Sequence, residues 1–187
     1  MDATELDAIA ACQAGDLSHF DSLYLKHVDA IYRFLHRRTF VREVAEDLTS
    51  TTFLKAMESI GSYDPERGPL IAWLYRIARN TLIDHTRSPA SKTVTLDETF
   101  EIAGEDDATI KAVRAVDQKR VLAALQKLTP IQRDIVTLRL WEGLSYQEIS
   151  SVVGKSEGNC KVLFSRSLTA LRTVLIALLL FLFPPSL

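Results

Sequence analysis

Between residues 69 and 87 the sequence PLIAWLYRIARNTLIDHTR sets a tryptophan among arginines and an asparagine. At about 100° per residue, Ile71, Leu74, Ala78 and Leu82 share one helical face, and Trp73, Arg76, Asn80, Ile83 and Arg87 share the opposite one. An indole interleaved with guanidinium groups and an amide suits unstacked single-stranded bases, because any base can stack on the ring while arginines hold the phosphates. The competing reading packs Trp73 on a neighbouring helix and leaves the arginines solvated; periodicity alone leaves both open. Tyr63, in the loop before this helix, offers a second aromatic wall.

A second constellation lies near the other end. Ser145-Tyr-Gln-Glu148 has the form of a capping box, Gly154 ends the short helix it begins, and Ser156 caps a longer one. Tyr146, Ile149, Val152 and Val153 point inward from the first, and Cys160, Leu163, Phe164, Leu168 and Leu171 from the second. Short helix, glycine turn and long helix make a helix-turn-helix, whose second helix enters a major groove. The apolar stripe leaves Ser156, Glu157, Asn159, Lys161, Val162, Ser165 and Arg166 for the groove, with Arg172 further along. Lys161 and Arg166 suit phosphates; Asn159 and Glu157 suit base edges. A plain three-helix packing module is the alternative.

The elements that must hold these residues are helical. Phe20, Leu23, Tyr24, Val28, Ile31 and Leu35 form an amphipathic stripe after the turn at Gly15-Asp16. A second segment runs from about Arg42 to Ser59 and stops at Gly61, GSYDPERGP must be a loop, and Pro69 suits the first turn of the next helix. Val121, Leu122, Leu125 and Leu128 mark a further helix, and Thr129-Pro130 starts another through Ile131, Ile135, Leu138 and Trp141. Periodicity disappears between Ser88 and Asp107, where Ser, Thr and acids accumulate. The expected fold is all-α: residues 1–87 form one small helical domain, 88–117 a flexible acidic linker, 118–173 a helix-turn-helix domain and 174–187 a hydrophobic tail.

Composition narrows the function. The 187 residues are 47% apolar and 25% charged, with 7 Gly and 6 Pro, an ordinary globular balance. Cys12 and Cys160 build neither a disulfide scaffold nor a zinc cage, and no Gly-rich phosphate loop, HExxH or GxSxG occurs. His19, His27, His36 and His85 are scattered, and His27 reads as a packed histidine. No catalytic constellation, metal site or cofactor is expected. The acidic start MDATELDAIAACQAGD does not read as a signal peptide, so a cytoplasmic protein is expected. Net charge is −2, yet residues 67–87 carry four Lys/Arg against one acid and residues 118–187 carry nine against four, leaving two basic surfaces between acidic ones.

Four blocks, AGDLSHFDSLYLKHVDAIYRFL, AEDLTSTTFLKA, LIAWLYRIARNTLIDHTR and LQKLTPIQRDIVTLRLWEGLSYQEISSVVGKSEGN, together resemble an extracytoplasmic-function (ECF) sigma factor over nearly the whole chain. The resemblance implies a bacterial RNA polymerase subunit and no enzyme in its own right. It places residues of about 17–87 on the clamp helices of core polymerase and at the minus-ten element, with Asp47, Thr51 and Phe53 in the block that resembles the clamp-binding helix. Tyr63, the loop to Pro69 and Asn80 correspond to the region that holds a flipped non-template base. Trp73, Arg76 and Arg79, with Arg87, belong to the helix facing the opened strand. Residues of about 118–173 are then expected on the minus-thirty-five duplex and the flap region. The acidic linker, with Asp97, Glu98, Glu105, Asp106 and Asp107, resembles the connector that threads polymerase channels. An anti-sigma protein is implied as a partner.

The end of the chain is unusual: Val174 to Phe183 is a ten-residue apolar run, half of what a bilayer span needs. It folds back on the chain, is covered by a partner, or makes a shallow membrane contact, and burial within the chain or by a partner is favoured. A stand-alone helix-turn-helix regulator is the competing function. It leaves the 17–87 block unexplained.

Overall fold

The structure is a computed structural model and describes residues 3–88, 124–125 and 127–182, with side chains as far as Arg172. Among these residues all regular structure is helical, as the periodicity predicts. The helices are α1 (Ala3–Gln13), α2 (Phe20–Thr39), α3 (Arg42–Ser59), α4 (Leu70–Arg87), α5 (Pro130–Leu140), α6 (Tyr146–Val153) and α7 (Glu157–Leu182). The linker from residue 89, its acids, and Val121 and Leu122 lie outside the described residues.

Local chemistry sets the boundaries. Asp16 accepts the backbone N–H of Ser18 and opens a single 3-10 turn that leads into α2. α2 stops at Phe40, whose φ of 59° is left-handed and whose N–H returns to the His36 carbonyl. That conformation is uncommon for a side chain other than glycine, and burial of the phenyl ring compensates for it. Pro69 sits at the N-cap of α4 with extended ψ, one position before the first helical turn expected of it. A ring-fixed φ suits both places, so sequence alone does not separate them. Capping boxes start α5 (Thr129 with Gln132) and α6 (Ser145 with Glu148). Gly154, at φ 69°, closes α6, and the Ser156 hydroxyl accepts from the Asn159 N–H to begin α7.

The stripe of α2 buries Phe20, Leu23, Ile31, Phe34 and Leu35, whereas Tyr24 stays 40% exposed with its ring edge against Phe53. α1 turns Ala8, Ile9 and Cys12 inward and leaves Leu6 half outside. Its Glu5 is buried and paired with His27 Nε2 at 2.6 Å and Lys26 Nζ at 3.1 Å, so His27 is a packed histidine. Trp141, placed on the apolar stripe by its spacing, is 41% exposed at the end of α5, with the Arg37 guanidinium 5.5 Å from its ring centre. Leu168 is likewise 38% exposed on α7.

One apolar cluster continues from Ala8 in α1 to Cys160 in α7, and each fully buried Leu, Ile or Phe in it contributes about 1.5–3 kcal/mol. The halves that the sequence divides therefore lie against each other, α4 on α6 and α2 on α5. A smaller cluster of Leu125, Leu128 and Val136 packs under Phe164 and Leu171. The backbone of α7 continues without a break to Leu182, so the tail begins as an extension of the last helix. No described helix is long and apolar enough to cross a membrane.

Candidate nucleic-acid interface

The loop after α3 is built by its own polar groups. The Asp64 carboxylate accepts the N–H of Glu66, capping the single turn Pro65–Arg67. Gly68 follows at φ 137°, a conformation that favours glycine, and its carbonyl accepts the Tyr63 hydroxyl at 2.9 Å. From the other side Gln13 Nε2 at the end of α1 donates to the carbonyls of Ile60 (3.1 Å) and Tyr63 (2.7 Å). Burial, reinforced by the charges of Glu5 and Asp64, pushes the Tyr63 phenol up to about 12.

Against this loop α4 brings Trp73, whose ring centre lies 5.4 Å from that of Tyr63 at a tilt of 56°. Ser62, Asp64, Arg67, Gly68, Pro69, Ala72 and Arg76 complete a cleft of about 240 Å³, and Ser151 of α6 stands at its edge. Tyr63 is only 5% exposed, so it supports Trp73 rather than offering a free ring face as a second wall. Trp73 itself is half-buried, between the two alternatives that periodicity left open. Arg76, Asn80 and Arg87 are exposed on the same side of α4.

Arg79 is held elsewhere. Its Nε donates to Asp134 Oδ2 at 2.9 Å, while Arg38 Nε donates to Asp134 Oδ1 at 2.6 Å. Beside this pair, Arg37 Nη1 and the Tyr75 hydroxyl donate to the two oxygens of Glu142 at 2.6 and 2.8 Å. Burial lowers the Arg37 pKa, with Glu142 opposing, and burial together with the Glu142 charge raises that of Tyr75. Neither carboxylate was a sequence candidate. Both lie far from the arginines in sequence, and only these side-chain bonds from α2 and α4 to α5 and the turn after it join them.

On α3, Asp47 is exposed and the half-buried Thr51 donates its hydroxyl to the Asp47 carbonyl. Phe53 departs from expectation: it is 4% exposed, edge-on to Phe20 and Tyr24, and is a core residue with no face for a partner. The residue presented outward is Leu54, 56% exposed. Its spacing from Asp47 and Thr51, four then three residues, puts it on their face and was available from the sequence.

The second constellation matches its expectation more closely. Ser156, Glu157, Asn159, Lys161, Ser165 and Arg166 are all exposed on the first turns of α7, and Cys160 between them is buried. Lys161 pairs with Glu157 at 2.6 Å and lies 5.6 Å from the Tyr146 ring centre; the Arg139 guanidinium covers that ring at 4.8 Å. Burial raises the thiol pKa of both Cys12 and Cys160. Among the described residues no group of acids, histidines and cysteines could hold a metal ion.

Comparison with known proteins gives a family match over the stretches that contain the two constellations. The family model for sigma-70 region 2 matches residues 23–92, and that for sigma-70 region 4 matches residues 118–171. The chain is 34% identical over 175 residues to the ECF RNA polymerase sigma factor BldN of Streptomyces coelicolor, covering 92% of this chain and 66% of that one. It is 31% identical over 155 residues to SigM of Bacillus subtilis, covering 82% and 93%. Among solved structures, the fold resembles the sigma factor RpoE bound to the anti-sigma factor NepR of Bartonella quintana, with a TM-score of 0.70, 23% identity, and 83% and 96% of the two chains covered. It also resembles CnrH bound to the cytosolic domain of CnrY, with a TM-score of 0.66, 22% identity, and 93% and 98% covered.

Proposed function

The chain belongs to the extracytoplasmic-function sigma factors, and from that premise we propose that it joins core RNA polymerase in the cytoplasm and directs it to specific promoters. In this reading residues 1–87 and 118–173 are the working domains. Asp47 and Thr51, with Leu54 beside them, meet the polymerase clamp. The cleft of Tyr63, Trp73 and Arg76, with Asn80 and Arg87 along α4, takes the opened minus-ten strand. The exposed turn from Ser156 to Arg166 reads the minus-thirty-five duplex.

The observation that carries this reading is the occurrence, in one chain, of an aromatic cleft rimmed by arginines and a helix-turn-helix with a polar outer face. Extruding a base costs a few kcal/mol, which stacking and pocket contacts must compensate, and a duplex reader alone has no use for such a cleft. A stand-alone regulator leaves α1 to α4 without a task. One fold neighbour, RpoE, was solved with the anti-sigma factor NepR, which supports a partner of that kind here.

Run-off transcription tests the reading with purified chain, core bacterial polymerase and a genomic promoter library. Specific starts that require the chain are expected. Duplex binding by the chain alone, with no polymerase-dependent start, would instead favour the conventional regulator. Removing residues 174–187 in the same assay assigns the tail: a gain in starts marks it as inhibitory, and unchanged starts exclude that role.

A further inference from the structure

Two buried carboxylates close the contact between the halves of the chain, and both are filled from the same side. The Asp134 side chain is 2% exposed and holds Arg38 and Arg79, one on each oxygen. The Glu142 side chain is 4% exposed and holds Arg37 and the Tyr75 hydroxyl. Every donor comes from α2 or α4, and both acids come from α5 or the turn that follows it. The first half thus contributes three guanidinium groups and the second half two anions.

Guanidinium groups converging on an anion whose oxygens accept N–H bonds form the arrangement that also receives a phosphodiester. Its position matters as much as its chemistry. Arg79 is adjacent to Asn80 and three residues from Arg76, on the helix that faces the opened strand in the reading above. Ser151 of α6 joins the loop and α4 residues that line the Trp73 cleft, and Asp134 of α5 holds Arg38 and Arg79, so parting the second half from the first frees the arginines and removes one wall residue of the cleft. We propose that Arg38 and Arg79, flanked by Arg37, form a binding site for a nucleic-acid phosphate, and that Asp134 occupies it in the closed chain as an internal substitute.

The energetics permit the exchange. A buried ion pair gains little over its solvated partners, because desolvation cancels most of the attraction, whereas a buried charge stripped of its partner is strongly unfavourable. Opening therefore has a moderate cost if the arginines meet water or another anion at once. DNA supplies that anion, and release of its counterions adds a driving force that falls as salt rises. Asp134 and Glu142 then set a threshold that nucleic acid, or a partner that parts the domains, must overcome.

This proposal rests on the reading that α4 meets nucleic acid, and the two are tested apart. Binding of a fluorescein-labelled single-stranded oligodeoxynucleotide to the full-length chain, without polymerase, is followed by anisotropy across a salt series. Asp134→Asn is expected to tighten binding by about tenfold and to steepen the logarithmic salt dependence by ~0.7 for each arginine engaged. Adding Arg38→Ala to that variant should return both quantities towards wild type. Circular dichroism and a pair of fluorescent labels, one on each half, report folding and separation. Separation of the labels with no gain in affinity overturns the proposal. Should Asp134→Asn fail to fold, Glu142→Gln, which leaves Asp134 in place, must tighten binding on separation, and unchanged affinity is equally decisive against it. A wild-type chain that supports transcription while neither variant gains affinity removes the phosphate site and leaves the sigma reading intact. The converse result, a gain without transcription, does the reverse.

Discussion

The side-chain amide of Gln13 donates to the Tyr63 carbonyl at 2.7 Å across fifty residues of sequence. With its second bond, to Ile60, it pins the loop under the Trp73 cleft to the first helix of the chain. α1 lies outside the stretch matched by the sigma-70 region 2 model, yet it braces the loop that the proposed reading places at the opened strand. Each bond is worth about 0.5–1.5 kcal/mol, so Gln13→Ala should lower global stability only modestly. Its larger effect should fall on the loop: hydrogen exchange at Tyr63 and Arg67 should accelerate while amides in the middle of α2 keep their protection. Uniform acceleration in both places would show that Gln13 serves the whole fold.

Trp73 and Tyr63 divide one task between them. The half-buried indole is open to the cleft, and the buried phenol holds it from behind. Trp73→Ala should cost about 1–3 kcal/mol in binding to single-stranded or pre-melted minus-ten DNA, the usual worth of one base stacked on one ring. Binding to the minus-thirty-five duplex should not change, since the proposed reading assigns that surface to α7. Equal losses on both ligands, measured by anisotropy on matched oligonucleotides, would mean that the substitution acts through stability.

The exposed turn of α7 yields a prediction of a different kind, because phosphate and base contacts separate experimentally. Arg166→Ala should weaken duplex binding across all sequences and reduce the salt slope by about 1. Asn159→Ala should relax preference at one base pair, by ~1–3 kcal/mol, with the salt slope unchanged. Competition binding with a set of single-base promoter variants measures both. A reversed pattern would exchange the two roles.

Much of this was legible in the sequence because the governing interactions are local. The capping boxes at Thr129 and Ser145 and the glycine turn at Gly154 are decided within four residues, and helical period sorted Leu74, Ala78 and Leu82 from Arg76 and Asn80. What failed was tertiary. Phe53 looked like a partner contact because its block resembles a binding helix, but Phe20 and Tyr24 on α2 enclose it. Arg79, absent from the outer face that the period defines, was placed at the opened strand by the family resemblance alone. A shift of one residue is 100°, enough to turn it from the cleft towards α5, where Asp134 waits. No period in the sequence announces an acid fifty-five positions away.

Tyr63 also makes the loop sensitive to alkali. Burial disfavours its charged form, and the charges of Glu5 and Asp64 add to this, so its pKa rises from 10.0 to about 12, while the protonated hydroxyl donates to the Gly68 carbonyl. The sign follows from proton binding: between these two values the folded chain keeps a proton that the unfolded chain has lost. The stability linked to Tyr63 is therefore fully present below pH 10 and is lost as pH rises towards 12. Tyr63→Phe removes this titration, together with one neutral hydrogen bond worth about 0.5–1.5 kcal/mol. In denaturant unfolding, the advantage of wild type over Tyr63→Phe should be constant at neutral pH and shrink in that alkaline window. Tyr75, whose pKa is raised as well, is present in both chains and cancels from the difference. A difference independent of pH throughout would place the Tyr63 hydroxyl in water and take away its bond to Gly68.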